Sequence, residues 1–497
     1  MPENFDTGLV WFRRDLRVHD NTALTSALQS CRAVFCVFVF DTAILEPLPR
    51  ADRRVEFIRE SLVELDANLR TLACKPEAGL IVLHGDAVAS IVGLAQALHA
   101  QAVFAGRDYE PYAVDRDAKA NAALRAVSST FVLHKDHVVF EGQEIMTQSG
   151  TPYGVFTPYL RAWTAKLRSE PWHCTARDAP GHALAPRPAQ FQRPVPSLDD
   201  IDFAPTNLQA LGLRAGESGS AALLADFVQR VDQYDTARNF PSVKGPSYLG
   251  VHLRFGTVSV RQLVRLATMS EVTRSTGAAT WLTELVWRDF YAQVLANFPF
   301  VASRAFRPEY DKITWEDGAS AQTLFVAWST GQTGYPLVDA AMQQLLQTGY
   351  MHNRLRMVAG SFLVKHLGID WRWGEQFFAQ HLNDFDLASN NGGWQWVSSS
   401  GCDAQPYFRI FNPVTQSEKF DAQGKFIHRY LPVLRGLQGP ALHAPWHAKP
   451  VELQAAGVVL GNNYPHPVVD HATARARTLQ RYGVIKKSAV PESDSAQ

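Results

Sequence analysis

The 497 residues exceed what one domain needs, and 46% hydrophobic against 19% charged residues is an ordinary globular balance, which excludes a disordered or fibrous chain. Lys plus Arg equals Asp plus Glu at 48 each, so any polyanionic partner must meet a local patch, not a whole-chain field. The five cysteines (Cys31, Cys36, Cys74, Cys174, Cys402) are never spaced C-x-x-C, which argues against a disulfide framework and a zinc site; no metal is expected. The N-terminus carries acids where a signal peptide needs bases, and no apolar run reaches the roughly 18 residues of a membrane span. A cytoplasmic protein without membrane contact is the expectation.

From Thr7 to about Phe131, short apolar runs at Gly8 to Phe12, Ala33 to Phe40, Leu80 to His84 and Ala102 to Ala105 read as buried strands. Between them lie helical patterns such as Arg53 to Leu72, with Val55, Ile58, Leu62, Leu65 and Leu69 at helical spacing. The alternation predicts an α/β domain over 1–133, a Rossmann-like parallel sheet with helices on both faces. Seven prolines between Pro171 and Pro205 predict an extended connection, and 134–205 is taken as the interdomain linker. Beyond Leu208 strand signals vanish, so 206–485 should be an all-α domain and 486–497 a frayed polar tail. No G-x-G-x-x-G, P-loop, H-E-x-x-H or G-x-S-x-G is present, so neither a dinucleotide fingerprint nor a hydrolase motif marks the chain.

Three stretches of the helical half carry chemistry. In the helix predicted over Ala279 to Phe298, Leu282, Leu285, Val286 and Phe290 share one side, while Trp281, Glu284, Trp287, Arg288 and Tyr291 share the other. That second face suits either a cleft wall for something flat and polar or aromatics buried on a neighbouring helix with a structural ion pair. The pattern recurs from about Tyr350 to His366, where Met351, Leu355, Val358 and Phe362 oppose Asn353, Arg356, Met357 and Gly360, the glycine allowing either a ligand or a helix to approach closely. Residues 384 to 396 place Asp384 and Asp386 before an Asn-Asn-Gly-Gly turn, then Trp394 and Trp396 around Gln395, a combination that makes little sense as a simple core element.

Together with Leu9 to Asn21, Thr333 to Ala341, Met351 to Met357 and Tyr407 to Pro413, these residues resemble the photolyase/cryptochrome family, most closely the class I cyclobutane pyrimidine dimer (CPD) DNA photolyases. The resemblance implies non-covalent FAD and light-driven electron transfer into a pyrimidine dimer of damaged DNA, performed by a monomer. It implies FAD contacts from Tyr234, Pro246, Ser247, Leu249, Gly250, Trp281, Glu284, Arg288, Asn353, Arg356, Asp384, Asp386 and Asn390, with Asp384 paired to Arg356 and Asn390 at flavin N5. Pro246 and Gly250 stand where many relatives carry hydroxyl residues, and backbone N–H groups or Lys244 would replace those phosphate contacts. For the flipped-out lesion it implies Trp287 and Trp396 as walls, Glu284 as hydrogen-bonding partner, and Arg288, Tyr291, Asn353 and Met357 as neighbours; Arg238, Arg354 and Arg409 would meet phosphates. Trp394, Trp371 and Trp315 would lead electrons to the flavin, using part of a high count of 12 tryptophans. An antenna chromophore, methenyltetrahydrofolate or 8-hydroxy-5-deazaflavin, is also implied, with Tyr109 to Asp117 resembling the antenna region. The alternatives are a cryptochrome-like blue-light photoreceptor and a (6-4) photoproduct photolyase.

Overall fold

The computed structural model describes residues 5–269 and 275–486, so the tail expected over 486–497 lies, apart from Lys486, outside the described residues. The chain forms two compact units, Met1–Tyr234 with Ser247–Asn297, and Asp235–Pro246 with Phe298–Gln497. The helices Gly216–Val228, Gly250–Phe255, Val260–Thr268 and Thr276–Asn297 thus cluster with the sheet.

The first unit holds five parallel strands, β1 (Phe5–Phe12), β2 (Cys31–Asp41), β3 (Leu80–Gly85), β4 (Ala102–Gly106) and β5 (Thr130–His134), in the order β3-β2-β1-β4-β5. The edge strand β5 had no counterpart among the expected strands. Side chains alternate across the sheet, and both faces are covered. Leu9, Trp11, Val37, Val39 and Val103 pack with α3 (Ala87–Ala97) and α4 (Pro111–Ala126), while Val10, Phe12, Phe38, Phe40 and Phe104 pack with α1 (Thr22–Ser30) and α2 (Arg53–Ala73). The chain reverses its winding between β1 and β4, and Arg13, Arg14, Asp15, Gly106, Arg107, Asp108, Asp136 and His137 line a cleft there.

The stretch read as a linker is more ordered than its prolines suggest. It carries α5 (Phe156–Ser169), whose Tyr159 and Trp163 are fully buried, and four short 3-10 turns between Pro171 and Ile201. Pro171 opens the first of them, where its missing N–H would have no partner anyway, and Pro180 and Pro188 directly precede the second and third, so these prolines border turns instead of preventing them. The long helix α6 (Thr276–Asn297) closes this unit.

The second unit is helical, with no strand among the described residues, and its core gathers Trp328, Met342, Leu355, Phe362, Trp371, Phe378, Trp394 and Phe426. Three helices matter for the site: α7 (Asn353–Ser361), α8 (Trp371–His381) and α9 (Leu387–Ser398). One expectation is corrected here. The Asn390-Asn391-Gly392-Gly393 run is not a turn but the middle of α9, which Asp386 starts by accepting from the Ser389 N–H at 3.0 Å and a left-handed Ser399 ends. For Gly360, the helix of the two alternatives is the neighbour found: an added Cβ would meet Val397 Cγ2 at 3.1 Å and the Trp394 ring at 3.5 Å, so its small size lets α7 pack on α9.

Candidate functional site

In the first unit the functional side chains ride on α6. Trp281 is buried with its ring 4.8 Å from Phe227, which also meets Tyr234 edge-on at 5.6 Å. Glu284, Trp287, Arg288 and Tyr291 are half-buried along the same side. Trp287 stacks on Phe156 with ring centroids 3.6 Å apart, and Tyr291 lies 5.4 Å from it. The Arg288 guanidinium donates to the carbonyls of His137 and Leu253, so part of its fork already holds backbone. Ser247 accepts from the Leu249 N–H at 3.4 Å, and Tyr248 between them adopts a positive φ of 59°, a bend that non-glycine residues rarely take. Gly250 then opens a short helix, Gly250–Phe255.

In the second unit His352 begins α7, its Nδ1 accepting from the Arg354 N–H at 3.1 Å. Asn353 is exposed; Arg356 and Met357 are half-buried beside it. Arg356 Nη2 donates to both oxygens of Asp384 at 2.9 and 3.0 Å, and its Nε donates to the Met351 carbonyl at 2.8 Å. One nitrogen holding two oxygens leaves acceptor capacity on Asp384, since a carboxylate can take about four hydrogen bonds. Asn390 donates to the Glu375 carbonyl at 3.0 Å, which keeps its side-chain oxygen available. Trp396 is half-buried, whereas Trp394 is buried, 4.9 Å from Phe378 and 6.1 Å from Trp328, with its indole N–H lacking a hydrogen bond. Trp371 is buried with Arg372 lying 4.6 Å over its ring, and half-buried Trp315 meets Tyr482 edge-on at 6.2 Å.

The basic residues divide. Arg409 is exposed, Arg238 half-buried, and Arg354 lies 4.3 Å over the Phe420 ring with Nη2 donating to Asn239 at 2.7 Å. Pro246 lies in this unit beside Gly245, where a side chain would overlap the Ala237 backbone.

Several working residues were given no role in the sequence reading. Asp289 of α6 is fully buried and accepts from Val139, Phe140 and the Trp163 indole; burial pushes its carboxyl up to about 6 against those hydrogen bonds. Lys365 is fully buried in a π-helical turn, Phe362–Leu367, donating to Ser399 Oγ at 3.1 Å and the Arg409 carbonyl at 2.9 Å. Burial, then Arg409, lowers it to about 7. Asn391 and Gln395 tie α9 to the Val301 carbonyl at 2.8 and 3.0 Å. A polar residue inside an apolar helical run is the one signal that could have marked them. In the cleft between β1 and β4, Arg14 pairs with Asp108 and Glu110 at 3.0 and 3.1 Å. Burial favours neutral Asp108, yet Arg14, His137 and Arg254 outweigh it and hold the carboxyl well below its usual range.

A parallel α/β unit with a winding reversal and a helical unit bearing an Arg–Asp pair beside Asn353 are the two parts that the photolyase/cryptochrome resemblance implies. Residues 8–180 match the DNA photolyase family model, and 281–484 match the FAD binding domain of DNA photolyase. The chain is 38% identical to a deoxyribodipyrimidine photo-lyase from Synechococcus, over 98% of each chain. A class III photolyase from Agrobacterium tumefaciens superposes with a TM-score of 0.87 at 34% identity, covering 98% of both chains. An archaeal photolyase from Sulfolobus tokodaii, described with two FAD molecules and a light-harvesting implication, gives 0.79 at 31% identity over 96% and 99%. The chain belongs to the DNA photolyase family and carries its FAD-binding domain.

Each unit holds donors and acceptors of kinds that FAD takes. In the second, Asp384 keeps acceptor capacity for ring N–H groups and Asn353 offers an exposed amide with no side-chain hydrogen bond among the described residues. In the first, the Ser247–Gly250 bend presents a hydroxyl and backbone N–H groups of the kind that take phosphate.

Proposed function

We propose that this protein repairs cyclobutane pyrimidine dimers in DNA by light-driven electron transfer. The observation that carries the reading is the Arg356–Asp384 pair beside Asn353 and Asn390, set in a chain related over its full length to deoxyribodipyrimidine photo-lyases. Bound FAD supplies, when reduced and excited, the electron that splits the dimer. The protein's own residues bind, orient and steady. Asp384, fixed by Arg356, holds the polar edge of the flavin ring, helped by Asp386 and by the Asn390 oxygen. Tyr234, Trp281 and Ser247 to Gly250 hold the rest of the cofactor, with Pro246 shaping the bend. Trp287 and Trp396 each offer the lesion a flat apolar face, Glu284 hydrogen-bonds its polar edge, and Tyr291 and Met357 bound it. Arg238 and Arg409 meet backbone phosphates. Arg354, stacked on Phe420 and bonded to Asn239, meets a phosphate as well. Trp394, Trp371 and Trp315 pass electrons to oxidised flavin.

An antenna chromophore would bind beside Tyr109 to Asp117, the segment that resembles the antenna region. A monomer in the cytoplasm completes the reading; the five free cysteines among the described residues support its reducing compartment. The test is an oligonucleotide with one thymine dimer, illuminated with blue light beside a dark control. Light-dependent return of intact thymines is expected; equal amounts of dimer in both would end the proposal.

A further inference from the structure

Trp287 does not stand alone on α6. Phe156, the first residue of α5 and itself buried, lies flat against its indole at 3.6 Å with only 6° between the ring planes. Phe290 closes on the same pair edge-on, 5.5 Å from Trp287 and 5.6 Å from Phe156. A face-to-face sandwich is not the arrangement ring quadrupoles prefer, so something other than ring attraction sets it.

The frame is visible on the next turns. Asp289, Gln293 and Asn297 repeat every four residues along one side of α6 and fasten the chain that leads into α5. Asp289 accepts from Val139, Phe140 and Trp163; Gln293 donates to the Tyr153 carbonyl at 2.9 Å, and Asn297 to the Gly142 carbonyl at 2.8 Å. Tyr159 adds a ring contact to Phe290 at 5.2 Å. Two buried polar anchors, Asp289 and Gln293, and the half-buried Asn297 therefore place Phe156, and Phe156 occupies one face of Trp287.

We infer that Phe156 is a positioning residue for lesion recognition, backing the Trp287 indole so that its remaining face is already oriented when a pyrimidine dimer arrives. The inference rests on the proposed reading of Trp287 as a lesion contact. Its physical content is preorganisation. An indole fixed between Phe156 and Phe290 has no rotamer freedom to lose on stacking, and a face already covered cannot turn toward the ligand in a second orientation. Removing the backing ring should loosen stacking on the damaged base without touching phosphate contacts, because Phe156 carries no charge.

The test measures binding of two matched duplexes, one with a single thymine dimer and one undamaged, by Phe156→Leu, Trp287→Leu and the double variant, each checked for full flavin content. Should Phe156→Leu fail to retain flavin, Phe156→Met replaces it. The expected result is a two- to tenfold, roughly, drop in the damaged-to-undamaged affinity ratio for Phe156→Leu, the size of an aromatic pair's contribution. A larger drop is expected for Trp287→Leu, and no further drop in the double variant. Phe156→Tyr, which keeps the ring, should retain the ratio. An unchanged ratio in Phe156→Leu alongside a reduced one in Trp287→Leu overturns the positioning role and leaves Trp287 as a lesion contact. Equal losses from Phe156→Leu with and without Trp287 also overturn it, since Phe156 would then act elsewhere. An unchanged ratio in Trp287→Leu removes the reading of Trp287 itself.

Discussion

Arg356 binds Asp384 through a single nitrogen, at 2.9 and 3.0 Å from its two oxygens, while its Nε is committed to the Met351 carbonyl just before α7. The guanidinium therefore does two jobs in one plane, fixing the entry to α7 and presenting the carboxylate. Lysine, a point donor on a flexible stem, cannot reproduce that fork. Both Arg356→Ala and Arg356→Lys should lose FAD on dialysis, read as flavin absorbance per protein. Retention by the lysine variant would show that charge alone is needed.

Trp394 is packed into the second unit's core beside Phe378, with an unbonded indole N–H. Trp394→Phe should slow or abolish light-driven reduction of oxidised flavin and leave repair intact when the flavin is reduced chemically beforehand. Photoreduction at the original rate would remove Trp394 from the electron route.

The same ring leaves no room at Gly374, where an added Cβ would overlap its far edge. The site is buried and the ring is rigid, so the strain cannot be relieved by a flexible side-chain tip. Gly374→Ala should cost about 1–3 kcal/mol in chemical unfolding. A midpoint equal to the wild type's would mean that α8 and α9 can separate freely.

Much of this was legible from sequence, and the failures have physical causes. Strands β1 to β4 announce themselves through apolar runs, because a sheet covered on both faces needs them. β5 is a half-buried edge strand of five residues and lacks that signal. The Asn-Asn-Gly-Gly run was misread because local propensity favours a turn, whereas Asp386 at the start of α9 and the buried Trp394, Gln395 and Val397 hold it helical. Asp289 and Lys365 stayed hidden because their partners lie far off in the chain: Val139, Phe140 and Trp163 for one, Ser399 and Arg409 for the other.

Lys365 makes a pH prediction. Burial lowers it from 10.5 to about 7, so between those values the unfolded chain keeps a proton that the folded chain has shed. Stability then rises with pH across that window, and this contribution is lost as pH falls toward 7. Lys365→Met removes the titration. The stability difference, wild type minus variant, should grow from pH about 7 to 10 in denaturant titrations. A difference flat in pH would mean that Lys365 stays charged in the folded protein.

The choice of lesion turns on α7. Repair of a (6-4) photoproduct needs a proton moved with the hydroxyl, and photolyases of that kind carry histidines at the positions of Asn353 and Met357. Neither an amide nor a thioether can donate that proton near neutral pH. His352 is the neighbouring candidate, yet it is buried at the cap of α7 with Nδ1 accepting from the Arg354 N–H. Burial first, then Arg354, Arg356 and Arg238, push its pKa down to about 4, so it carries no extra proton at neutral pH. Splitting a cyclobutane ring requires only that an electron enter and leave, which these side chains permit. On matched single-lesion oligonucleotides, light should repair the cyclobutane dimer and leave the (6-4) product intact, with Asn353→His alone failing to create (6-4) activity. Efficient repair of the (6-4) oligonucleotide by the unmodified protein would overturn the assignment and require an acid elsewhere.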